Sequence, residues 1–87
     1  MSRIETLVKK LCAEPTPADF RYSELKRVMS HFGYIESNQG ATSGSRVRFF
    51  HPETKAVLML HKPHPGDEMS KASVDSVVRF LKERGHL

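Results

Sequence analysis

The chain holds one cysteine in 87 residues, no long apolar run, no internal repeat and no low-complexity tract. The lone Cys12 excludes an internal disulfide and any all-cysteine metal site. On a predicted helix it reads as a small packed residue. No stretch is long and apolar enough to span a bilayer. The first twenty residues carry charges throughout and lack the apolar centre of a secretion signal, so the expected compartment is the cytoplasm, with no membrane association. The loop at residues 38–44 has neither the lysine nor the length of a P-loop, which argues against nucleotide binding there. His61 and His64 match no standard zinc spacing and are too few for a site, so no metal and no cofactor is expected.

What is present is a small, moderately basic chain, sized for one domain with a modest core. It carries 14 Lys and Arg against 10 Asp and Glu, a net charge of +4. The excess is uneven: +1 over residues 1–44 (six cations, five anions) and +3 over residues 45–87 (eight and five). That imbalance slightly favours an anionic partner.

Apolar spacing divides the chain into elements. Ile4, Leu7, Val8 and Leu11 form one helical stripe after Ser2. Pro15 and Pro17 end it. A second helix is expected to start at Ser23 as its cap, with the stripe Leu25, Val28, Met29 and Phe32, and Gly33 as a left-handed terminator. Residues 34–37 read as a short strand. Two further strands, residues 45–51 and 56–61, flank a hairpin turn at Pro52, Glu53 and Thr54. Pro63, Pro65 and Gly66 form an exposed connection. The last helix begins near Ser70 or Ser73, carries Val74, Val77, Val78 and Leu81, and stops at Gly85.

The order α-α-β-β-β-α predicts an α+β fold: a two-layer sandwich with a three-stranded antiparallel sheet packed on helices. Alternation puts Val47 and Phe49 on the helix-facing side and Arg46, Arg48 and Phe50 on the other. Ala56, Leu58 and Leu60 fit the core. Val57 and Met59 then join Phe50 on the open face, either as a partner surface or buried by register and edge effects.

Chemistry concentrates in residues 42–66. Arg46, Arg48 and Lys62, with Lys71 and Arg79 as further candidates, suit a phosphate backbone. Antiparallel pairing around the turn sets His61 roughly opposite Arg46. An imidazole near neutral pKa beside a guanidinium suits proton transfer at a phosphodiester. His64 lies on the exposed connection, either as a ligand contact or as a surface residue between two prolines. His51 falls at the far end of the hairpin, and His31 and His86 read as surface positions near helix ends.

The segments Gly44-Ser45-Arg46-Val47-Arg48-Phe49-Phe50-His51-Pro52-Glu53-Thr54, then Leu60-His61-Lys62-Pro63-His64-Pro65-Gly66-Asp67-Glu68-Met69, and the closing Arg84-Gly85-His86-Leu87 resemble the HicA toxins of bacterial toxin–antitoxin pairs. The similarity spans residues 22–87. Residues 1–14 resemble the N-terminal helical extension of a longer subgroup, within a single domain over residues 1–87. The resemblance implies a double-stranded-RNA-binding-domain-like fold, RNA as ligand, mRNA cleavage without metal, and silencing by a HicB-like antitoxin. It implies RNA contact by Ser45 and His64. In that family the residue after Gly-Ser is the catalytic histidine, and here it is Arg46. Arginine stays protonated and cannot act as a base. Either cleavage is lost, leaving a non-catalytic RNA-binding or protein-interaction module, or another histidine, His61 or His64, transfers the proton. Phe50, Val57 and Met59 are the candidate partner interface.

Overall fold

The computed structural model describes residues 3–37, 46–63 and 66–87, without the side chain of Arg3. Three helices, α1 (Arg3–Leu11), α2 (Tyr22–His31) and α3 (Lys71–Glu83), accompany three strands, β1 (Ile35–Ser37), β2 (Arg46–Phe50) and β3 (Val57–His61). The order is the expected α-α-β-β-β-α. The strands form one antiparallel sheet in the order β1-β2-β3. The expected loop at residues 38–44, together with Ser45, His64 and Pro65, lies outside the described residues.

The helices cover one face of the sheet. Val47, Phe49, Leu58 and Leu60 point into a core shared with Leu25, Val28 and Met29 of α2 and Val74, Val77 and Leu81 of α3. Removing a side chain such as Phe49 from water is worth about 2–3 kcal/mol. Leu7 and Leu11 of α1 pack onto the same core, with Ile4 and Val8 partly buried. α1 is fastened to α2 by an ion pair of 3.1 Å between Lys10 and Glu24. The connection from α1 to α2 is held to α3 where the Thr16 hydroxyl donates to Asp75 at 2.8 Å.

Local chemistry explains the element ends, with some departures from expectation. The cap of α2 lies two residues before the anticipated Ser23. It is Arg21, whose backbone N–H donates to the Glu24 carboxylate at 3.0 Å. Ser23 instead donates its hydroxyl to Asp67 at 2.8 Å. Ser70 caps α3, accepting from the Ser73 N–H at 3.1 Å. Cys12 is exposed rather than packed, because the helical stripe places Leu11 inward and turns its neighbour outward. Four core residues stand outside the helical and strand stripes read from sequence: Phe20, Tyr22, Tyr34 and Met69.

The hairpin end depends on His51. Its Nδ1 accepts from the backbone N–H groups of Glu53 and Thr54, both at 3.2 Å, so Nδ1 is the unprotonated nitrogen. The ring is buried and packs edge-on against Tyr34 at 5.0 Å. His86 is likewise no free surface residue: it stacks on Phe32 at 4.9 Å and its Nε2 lies 3.1 Å from the Tyr34 hydroxyl. Gly33 follows α2 with φ +93°, and a Cβ there would sit 3.0 Å from His51 Nε2.

Two predictions follow from this cluster. Gly33→Ala meets both a left-handed backbone and the His51 ring, so it should destabilise the fold by about 1–2 kcal/mol in a denaturant titration. Burial, and then the neighbouring His51, hold the His86 pKa below the usual histidine range. The unfolded chain therefore binds the proton more readily, and the stability from neutral His86 is complete above the unfolded pKa and lost as pH falls through it. The Tm should drop between roughly pH 7.5 and 5.5, and His86→Phe should flatten that drop. An unchanged pH profile in the variant would refute the assignment.

Candidate nucleic-acid interface

The pairing register arranges the open sheet face in rows. Arg46 pairs with His61, Arg48 with Ser37 and Met59, and Phe50 with Ile35 and Val57. Directly paired residues hold their Cβ atoms about 5 Å apart on one face. The first row is thus a guanidinium beside an imidazole, the second is mixed, and the third is apolar. Arg46, Arg48 and His61 are all exposed, and Arg46 and His61 make no side-chain hydrogen bond or ion pair with other described residues. Val57 is 40 % exposed, Met59 55 % and Ile35 56 %, while Phe50 is half-buried under the Lys55 ammonium at 5.9 Å. The face is open, so register and edge effects do not bury Val57 and Met59.

His61 also borders a cleft of about 290 Å³ with Pro63, Glu68, Met69, Ser70 and Ser73. The cleft runs from the end of β3 to the start of α3, beside Lys71. Arg79 lies eight residues further along α3, about 12 Å on, in the layer behind the sheet, and does not share the face of Arg46 and Arg48.

A polar cluster beneath the sheet stabilises this end. Tyr22, buried at the start of α2, packs against Phe49 at 6.3 Å and donates a short hydrogen bond to Glu36 of β1. Burial, then that bond and the negative charges of Glu36 and Asp67, push the Tyr22 phenol well above its ordinary pKa, so it remains a donor. Glu36 also pairs with Lys26 at 3.5 Å. Lys26 and Lys62 each place their ammonium about 6 Å from the Tyr22 ring centre, at 6.0 and 5.8 Å. Lys62 follows His61 in the chain, and its ammonium is turned toward the helix side of that sheet end.

The connection after β3 is strapped to the start of α2. The Tyr22 N–H donates to the Asp67 carbonyl at 2.7 Å and the Met69 N–H to the Phe20 carbonyl at 2.8 Å, around an Arg21–Glu68 bridge. Arg46, His61 and Lys62 are therefore brought to one end of the sheet. Ser45 and His64, also candidates, lie outside the described residues. Sequence reasoning missed Tyr22, Lys26, Glu36 and Asp67. Apart from the i, i+4 contact of Lys26 with Tyr22, their association crosses 10 to 45 positions of chain and has no periodic signal.

Among the described residues no helix is long and apolar enough to cross a membrane. No curated protein and no solved structure matches the chain. The family model described as HicA toxin of bacterial toxin-antitoxin matches residues 22–85, from the start of α2 to the glycine after α3. That match covers the strand row, the cleft and the closing helix alike, and the chain belongs to the HicA toxin family.

Proposed function

We propose that this toxin is an endoribonuclease that cleaves mRNA without a metal, in the cytoplasm, and is silenced by a HicB-like antitoxin. It is read as one HicA-like domain over residues 1–87, with residues 1–14 as an N-terminal extension. The observation that carries the reading is the Arg46–His61 pair, exposed side by side on the sheet. Arginine takes the position of the family's catalytic histidine. The base is then supplied from the adjacent strand.

Arg46 holds the scissile phosphate through paired N–H donors and stabilises the negative charge that grows on its oxygens. Arg48 and Lys62 grip neighbouring phosphates, and Ser45 is a further RNA contact that the family resemblance implies. His61 removes the proton of the 2′-hydroxyl, the 2′-oxygen bonds to phosphorus, and the bond to the 5′-oxygen breaks. That leaving oxygen takes a proton from an acid, for which His64, three residues on in sequence, is the candidate. The products are a 2′,3′-cyclic phosphate and a 5′-hydroxyl. The antitoxin covers Phe50, Val57 and Met59, and from there blocks the adjoining basic row.

A second reading keeps RNA binding without cleavage. Its support is Arg46 itself, which removes the usual base.

Incubation of purified protein with RNA in chelator separates the two. Cleavage is expected, with cyclic phosphate ends, and His61→Ala should slow it about 100-fold or more. Intact RNA at high protein concentration, with binding that weakens steeply in salt, would leave the binding module. Met59→Asp tests the partner surface: affinity for the antitoxin should fall roughly 30-fold, about 2 kcal/mol, with no change in Tm. Unchanged affinity would remove that surface from the interface.

A further inference from the structure

A second cleft, of about 650 Å³, lies between α1 and α2, lined by Ile4, Ser23, Lys26, Arg27, Ser30 and His31. Among the described residues no carboxylate lines it. Ile4 gives it an apolar wall, two serines give hydroxyls, and Lys26, Arg27 and His31 give an ammonium, a guanidinium and an imidazole. Arg27 is exposed and makes no ion pair with other described residues. Ile4 belongs to α1, which stands before the stretch matched by the family model, so this cleft has a wall that the matched part does not supply.

We propose that this cleft is a second RNA-binding site, which holds the strand running away from the cleavage end. The inference rests on the reading of the protein as an RNA-binding toxin. Its own support is continuity of charge. Lys26 lines the cleft and also stands over the Tyr22 ring, and Lys62, next after His61 at the end of β3, stands over the same ring. The two ammonium groups are within about 12 Å of each other, since each is about 6 Å from one ring centre. Successive phosphates of one strand rise about 3.4 Å each in a helical stack and further when extended, so that gap spans two to four nucleotides. Glu36 pairs with Lys26 through one oxygen at 3.5 Å, while the Lys26 side chain stays 50 % exposed, so it positions the ammonium without covering it. Hydroxyls and an apolar wall beside the cations suit ribose and base, where an acidic peptide would need only the charges.

The test uses the full chain and two RNAs. One has about twelve nucleotides, some 40 Å at ~3.4 Å each, enough to cross the molecule's longest extent of 36 Å. The other is a dinucleotide, which is used up at the Arg46–Lys62 end. The double variant Lys26→Met, Arg27→Gln changes exposed positions; losing the Lys26–Glu36 pair should lower its Tm by a few degrees at most, and binding is read well below the Tm of both proteins. Its affinity for the long RNA should fall about tenfold at low salt, and the slope of log affinity against log salt should flatten by about 1.4, roughly 0.7 per lost phosphate contact. Affinity for the short RNA should be unchanged, and Lys26→Arg with Arg27→Lys should restore the slope. An unaltered slope on the long RNA, with wild type binding it, overturns the second site alone and leaves the toxin reading intact. Loss of antitoxin binding with RNA affinity retained would also overturn it and make the cleft a protein site. A wild type that binds neither RNA overturns both.

Discussion

The pairing of β2 with β3 governs the rest of the molecule. It sets Val47 against Leu60 and Phe49 against Leu58 on the covered face, and Arg46 against His61 on the open one. Because side chains alternate with a period of two, a slip of one residue would exchange those faces, sending guanidinium groups into an apolar core. Burying them unpaired would cost several kcal/mol each, enough together to cancel the net stability of a small domain. The same burial that holds the fold therefore holds Arg46 and His61 together outside it.

A second constraint acts at the end of the sheet. Glu36 faces the helices, in a strand whose partner Phe49 is fully buried. A lone carboxylate there would be costly. The Tyr22 hydroxyl and the Lys26 ammonium satisfy it, and in doing so they tie α2 to β1. The Asp67 contacts with Tyr22 and Ser23 tie the connection after β3 to the same helix start. Lys62 and His61 owe their placement to these ties as much as to their own strand. Lys26 of the cleft at α1 and Lys62 at the end of β3 meet over Tyr22, a residue that is itself part of the core.

The histidines divide by environment. His61 is solvated beside a cation, as functional imidazoles often are. His51 is consumed by the turn, where one ring nitrogen replaces two backbone hydrogen-bond acceptors. His86 closes the aromatic group of Phe32, Tyr34 and His51. In sequence, all three neighbour a proline, a lysine or a glycine, and nothing in those neighbours separates a solvated ring from a packed one. His86 and Cys12 were therefore misread, one as exposed and one as packed.

Periodicity was enough to order the six elements, to choose the core faces of β2 and β3, and to set Arg46 across from His61, because each depends only on local geometry and a hairpin of known length. The motif order around residues 44–54 and 60–69 was enough for the family. Tertiary structure alone decided that Phe20, Tyr34 and Met69 enter the core, that Glu36 collects Tyr22 and Lys26, and that α1 leaves a basic cleft against α2. Those contacts join segments distant in the chain, and their energy comes from the mutual burial and charge pairing of side chains that no short repeat relates.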